Sequence, residues 1–243
     1  MHVPSIGGLH YFLIFKDDCS SYAMISVIHD KMQILKKFKE MQMQVRKYGH
    51  QIEIVRRDCG TEILNEALEN YLIEQGIKHE TSTPYCPEQN GYVERHMRTV
   101  TEAALSMIHD AGLAHSFWGK AVSYAVHIQN RIVAKHLNDI TPHQAFTGSK
   151  PSLSHIRIFG TKAFMYIQKG QRKKWDAKAK EMIFVGYDED KKSYRLMDPA
   201  SKRIFFSHDV LVDEGIHGSS DGSDCESEAV VVNDNDHRNE GEQ

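Results

Sequence analysis

Several familiar signals are missing from this 243-residue chain. No apolar run approaches the roughly 18 residues that a membrane span needs, so no spanning helix is expected. The apolar piece at residues 9–15 has no basic flank before it and no small-residue cleavage site after it, so it does not read as a signal peptide. Cysteine is scarce. Cys19, Cys59, Cys86 and Cys225 include no pair at Cys-x-x-Cys spacing, and no suitably placed His-x-x-x-His accompanies them. That excludes a zinc ribbon or finger and points to reduced thiols in an intracellular protein. The fifteen histidines are scattered, without ligand spacing. There are no internal repeats.

Charge is present but uneven. The formal net charge is −3. Residues 216–243 hold eight acids and one base, a local −7, which leaves 29 bases and 25 acids, or +4, for the rest. The body of the chain is mildly basic, which permits polyanion binding without demanding it. The tail, rich in Gly, Ser, Asp and Glu and poor in aromatics, reads as a solvated, disordered segment.

Periodicity orders the rest. Residues 9–15 and 22–28 read as a strand hairpin across the turn at 17–20. Residues 31–48 carry Ile34, Leu35, Phe38, Met41 and Val45 at steps that sum to helical turns, an amphipathic helix. A third strand, 51–57, leads to Asp58. A helix follows over 62–75, with Gly76 as its stop, then a short strand at 77–82. A loop is expected over 84–91 and a long helix over 92–111, with Val93, Met97, Val100, Ala104 and Met107 as its core stripe and Glu94, Arg98 and Thr101 on the adjacent face. Residues 116–133 form another helix, with Phe117, Trp118, Ala121, Tyr124, Ala125, Ile128 and Ile132 inward. Thr141-Pro142 opens a shorter one ending near Gly148. Beyond Pro151 the pattern changes to short apolar runs between Lys-rich or Asp-rich turns, as in a small antiparallel barrel. Arg172, Lys173 and Lys174 flank Trp175 there, in the most basic stretch of the chain.

One stretch organises the rest. It opens with Arg57-Asp58-Cys59-Gly60 at a strand end and closes with Pro87-Glu88-Gln89-Asn90-Gly91-Tyr92-Val93-Glu94-Arg95, with 35 residues between Asp58 and Glu94. This combination resembles the integrase catalytic core of the copia-type retrotransposons, over roughly residues 7–214. The family's signature is an Asp, Asp, Glu triad with 35 residues between the last two acids. Asp58 matches the second Asp and Glu94 the Glu. Phe184-Val185-Gly186-Tyr187 and the run at 209–214 resemble the SH3-like domain that follows that core.

The resemblance implies an α/β fold. It comprises a ribonuclease-H-like integrase core over residues 1–150 with its first strand largely missing, an SH3-like antiparallel β-barrel over 151–215, and the disordered acidic tail over 216–243. It implies DNA strand transfer with Mg²⁺ or Mn²⁺ held by Asp58 and Glu94. Gln89, Asn90, Arg95 and Arg98 would lie near DNA. It also implies DNA ends and a target duplex as partners, a homo-oligomer, no membrane, and a nuclear site of action. The family's first Asp sits in an Asp-x-x-Gly-Pro context that residues 2–8 resemble the sequel of, so the triad here is incomplete. Weak metal binding and absent strand transfer are expected. Cys59 stands where Asn is usual and Cys86 where Thr or a similar residue is usual. The competing expectation is a host-retained derivative that binds nucleic acid or protein without catalysis. A plain ribonuclease-H nuclease fits less well, given the 35-residue spacing and the barrel that follows.

Overall fold

The structure, a computed structural model, describes residues 3–57, 66–81 and 87–215. The chain divides into two units, Met1–His155 and Ile156–Gln243. In the first, the elements run β1 (Tyr11–Lys16), β2 (Ala23–Ile28), α1 (Ile34–Lys47), β3 (Ile54–Arg57), α2 (Glu66–Glu74), β4 (Lys78–Thr81), α3 (Pro87–Asp110), α4 (Trp118–Gln129) and α5 (Pro142–Thr147). This is the order the sequence predicts.

Among the described residues, the strands do not make one sheet. β1 pairs with β2 in an antiparallel hairpin, Tyr11 opposite Ile28. β3 pairs with β4 in parallel, Ile54 opposite Lys78. Each is a two-stranded sheet by itself. Both nevertheless pack on one core. Phe38, Met41 and Val45 of α1, Leu68 and Leu72 of α2, Ile28 of β2 and Phe146 of α5 form a buried cluster, and Leu13 and Phe15 of β1 and Val55 of β3 lie against it. Tyr22 stacks on Phe146 at 4.6 Å between ring centroids. Among the described residues, no strand joins the two pairs.

Local chemistry fixes the helices. The α1 residues Ile34, Phe38, Met41 and Val45 are buried, the row that the 3.6-residue period predicts. Arg46 and Lys47 close its last turn, where cations suit the helix dipole. Gly76 follows α2 at φ +66°, a left-handed position that glycine adopts without strain. α5 is capped by Thr141, whose hydroxyl accepts from the Gln144 N–H at 3.1 Å, with Pro142 in its first turn.

Two expectations about helix faces need correction. Val93 and Met97 are 40% and 38% exposed, while Val100, Ala104 and Ile108 are buried. All five lie on one face at about 100° per residue, so the expected stripe is buried from Val100 onward and exposed before it. Ile132, expected inward, is exposed because α4 stops at Gln129. The next residue explains the stop. Asn130 is buried, and its amide serves the start of β2: Oδ1 accepts from the Ala23 N–H at 2.9 Å and Nδ2 donates to the Ala23 carbonyl at 2.8 Å.

The second unit is a continuous five-stranded antiparallel sheet of β5 (Lys162–Tyr166), β6 (Ala179–Asp188), β7 (Ser193–Met197), β8 (Ile204–Ser207) and β9 (Val210–Asp213). Its order is β8-β7-β6-β5-β9. Met182, Phe184, Val185, Leu196 and Met197 are fully buried. The β6–β7 register slips between Phe184 and Tyr187, and Gly186 sits there at φ +125°. A bulge with glycine lets a long strand bend, as a small curled sheet requires. At the β7–β8 turn the buried Asp198 carboxylate accepts from Lys180 Nζ at 2.7 Å, from the Ser201 hydroxyl at 2.6 Å and from the Ala200 N–H at 3.1 Å. Those contacts, Lys180 first, hold it down to about pKa 2. The acidic tail, 216–243, lies outside the described residues.

Candidate functional site

β3 ends at Arg57, one residue before the first candidate acid. Asp58 itself lies outside the described residues, as do Cys59 and Cys86. What surrounds the end of β3 is visible through Arg56. Its guanidinium donates to Asp18 at 3.2 Å and to Glu80 at 3.3 Å, tying the turn after β1 to β3 and β4. Lys78 Nζ also reaches Glu80, at 2.8 Å. Lys78 and then Arg56 draw the Glu80 carboxyl below its ordinary value. Carboxylates and cations therefore already alternate across this strand end.

The second candidate acid is on α3. The helix opens at Pro87, within the stretch where a loop was expected. Proline suits a helix's first turn because its φ is preset and the N–H it lacks has no partner there anyway. Gln89 and Asn90 thus sit on helical backbone; their side chains are outside the described part. Glu94, Arg95 and Arg98 are exposed. Glu94 and Arg98 stand four apart, the spacing of a helical ion pair, yet among the described residues no such pair forms between them.

His96, half-buried on α3, is a residue that periodicity reasoning passed over. It lies two positions after Glu94, and burial followed by the nearby Lys16 ammonium pushes its imidazole down to about pKa 4. Its Nε2 is buried without a hydrogen-bond partner among the described residues. Its place four residues before Val100, on the packed row of α3, was the available signal. Among the described residues, no three His, Cys, Asp or Glu side chains are gathered as a metal ion would require. No described helix is long and apolar enough to cross a membrane.

Two families match. The integrase core domain covers residues 1–87 and the retroviral polymerase SH3-like domain covers residues 161–225. The chain is 34% identical over 235 residues to the retrovirus-related Pol polyprotein from transposon TNT 1-94 of Nicotiana tabacum, covering 96% of this chain and 18% of that protein. Over nearly its whole length the chain is similar to copia-type retrotransposon Pol polyproteins. Two further copia-type relatives, from transposons RE2 and RE1 of Arabidopsis thaliana, are 29% and 28% identical, each over 87% of this chain and 14% of the relative. The chain therefore spans less than a fifth of these curated relatives. Among solved structures, it is similar to the catalytic core domain of BIV integrase at 19% identity and a TM-score of 0.45, over 56% of this chain and 85% of that one. It is also similar to the HTLV-2 integrase catalytic core domain in complex with magnesium, at 16% identity and a TM-score of 0.42, over 55% of this chain and 82% of that one.

Proposed function

We propose that this chain carries two of the three carboxylates of an integrase-type DNA strand-transfer site, Asp58 and Glu94, and that it is inactive without a third. The observation that carries this reading is the split sheet. β1 and β3 are each hydrogen-bonded to one neighbour among the described residues, yet both rest on one core. A strand seated beside them would complete the layer next to the end of β3. An acid just past a strand end and one two turns into a helix suit phosphoryl chemistry, because each arrives from a separate rigid element.

Asp58 and Glu94 offer hard carboxylate oxygens of the kind Mg²⁺ or Mn²⁺ takes, and they would hold the metal weakly for want of a third carboxylate. When bound, a metal pair in such sites activates the attacking oxygen and stabilises the leaving one. The chain's own residues do the positioning. Arg95 and Arg98, exposed on the Glu94 helix, would meet backbone phosphates, and Gln89 and Asn90 precede them on the same helix. DNA ends and a target duplex are the substrates of this reading, a homo-oligomer its working form, and the nucleus its place.

The test compares metal-dependent strand transfer on a labelled duplex end by this chain and by a version extended upstream with an Asp-bearing strand. Activity only in the extended form, abolished there by Asp58→Asn or Glu94→Gln, supports the reading. An inactive extended form that still binds DNA sinks it. That outcome would favour the second reading, a non-catalytic nucleic-acid-binding derivative, which the basic loop of the second unit supports independently.

A further inference from the structure

The two tryptophans of the chain are treated oppositely. Trp118 is 6% exposed, and its Nε1 donates to the Val3 carbonyl at 2.9 Å. Trp175 is 92% exposed. An indole carries more apolar area than almost any other side chain, and Trp175 contributes none of it to a core.

Its loop is built rather than slack. Residues 167–178 join β5 to β6, and the Ile167 N–H donates to the Lys178 carbonyl at 2.9 Å, closing the base. At the tip, the Asp176 N–H donates to the Lys173 carbonyl at 3.1 Å while the Asp176 carboxylate accepts from the Lys173 N–H at 2.7 Å. Lys174 and Trp175 are the two residues between. The loop holds Lys169, Arg172, Lys173, Lys174 and Lys178 against one acid, Asp176. Among the described residues, none of those four lysines is in an ion pair. Arg172 lies over the half-exposed Tyr166 ring, 5.6 Å from its centroid, and donates to its hydroxyl at 3.2 Å.

An exposed π-face among unneutralised cations matches a ligand with flat apolar faces strung on a polyanion. We propose that the 167–178 loop binds an unpaired nucleic-acid strand, with Trp175 stacked on a base and Arg172, Lys173 and Lys174 on the flanking phosphates. Within a duplex the base faces are covered by one another, so an indole reaches them only where the strand is single. A lipid surface fits less well, because Trp175 is the single apolar side chain at the tip and interfacial binding needs a broader apolar face. The site uses neither Asp58 nor Glu94, so it stands or falls separately from strand transfer.

The full chain is titrated with a short oligothymidylate, its oligouridylate counterpart, a blunt duplex and anionic phosphatidylserine vesicles, following the fluorescence lost in Trp175→Phe. The expected result is saturable quenching by a single strand and little by the duplex, with the two oligomers reporting whether the sugar matters. Trp175→Ala, with an unchanged circular-dichroism spectrum, should weaken oligomer binding about tenfold or more by anisotropy. Lys173→Glu with Lys174→Glu should weaken it and flatten its salt dependence. The proposal is overturned by equal binding of Trp175→Ala and wild type, by equal quenching with the blunt duplex, or by a response confined to vesicles.

Discussion

The two units solve the same problem, satisfying the backbone of short strands, in different ways. In the second, every strand pairs antiparallel within one sheet, so most partners come from short connections. In the first, two strand pairs share a core but among the described residues no ladder joins them, and helices, a buried Asn amide and the Arg56 bridge supply what the sheet does not. A continuous sheet is self-sufficient; a divided one depends on side chains placed far away in sequence. Amides of β6, flanked on both edges, should therefore exchange with solvent more slowly than those of β1 and β3.

The largest effect is expected where the continuous sheet is densest. Phe184→Ala empties a fully buried position between β5 and β7 and should cost about 3–5 kcal/mol. Chemical denaturation followed by exchange of the second unit's amides measures it. If the first unit's amides lose protection equally, the two units do not unfold separately and the contrast fails. Asn130→Ala attacks the divided unit. It strips partners from the N–H and carbonyl of Ala23, both at a buried position, and should cost about 2–4 kcal/mol. The loss should appear first in the exchange of β2 and α4 amides.

Acid separates the units along another axis. The unfolded chain protonates His96 below its ordinary value of 6.5, whereas the folded first unit does so only near 4. Protons thus favour unfolding between those limits, and the first unit should weaken as pH falls from 6.5 to 4. Asp198 runs lower. Its stabilising contribution is complete above 3.8 and is lost as pH falls through about 2. Melting followed unit by unit across this range should show the first unit weakening before the second. His96→Leu should remove the earlier loss and Asp198→Asn the later one.

Much of this was legible in the sequence, and the exceptions share a cause. Period gave the element order and the α1 face, because those residues answer to one nearby layer. The Thr141-Pro142 cap and the Gly76 stop are local chemistry, readable without a fold. On α3 the exposed Val93 and Met97 share the face of the buried Val100 and Ala104, so period alone does not say where along the helix burial begins. Likewise Asn130, Asp198 and Arg56 act on partners 107, 18 and 38 residues away, distances at which no spacing rule operates. Asp58 and Glu94 are proposed by the opposite route, through a motif, and Asp58 lies outside the described residues.

The smallest expected effect tests whether charge pairs contribute to the continuous sheet at all. Lys162 and Glu181 lie on the neighbouring strands β5 and β6, with Nζ 3.3 Å from the carboxylate, and both side chains are more than half exposed. Water screens such a pair almost as well as it screens separate ions, and ordering two long side chains costs entropy that offsets the attraction. Lys162→Ala, Glu181→Ala and the double variant should give a coupling energy of about 0.5 kcal/mol or less, shrinking further at high salt. The contrast with Lys180 and Asp198 is the informative part. That pair joins the same sheet, but its carboxylate is buried and bound also by Ser201 and Ala200. A double-variant cycle there should return a clearly larger coupling. Equal couplings would mean that burial of one partner does not set the strength of a charge pair in this sheet.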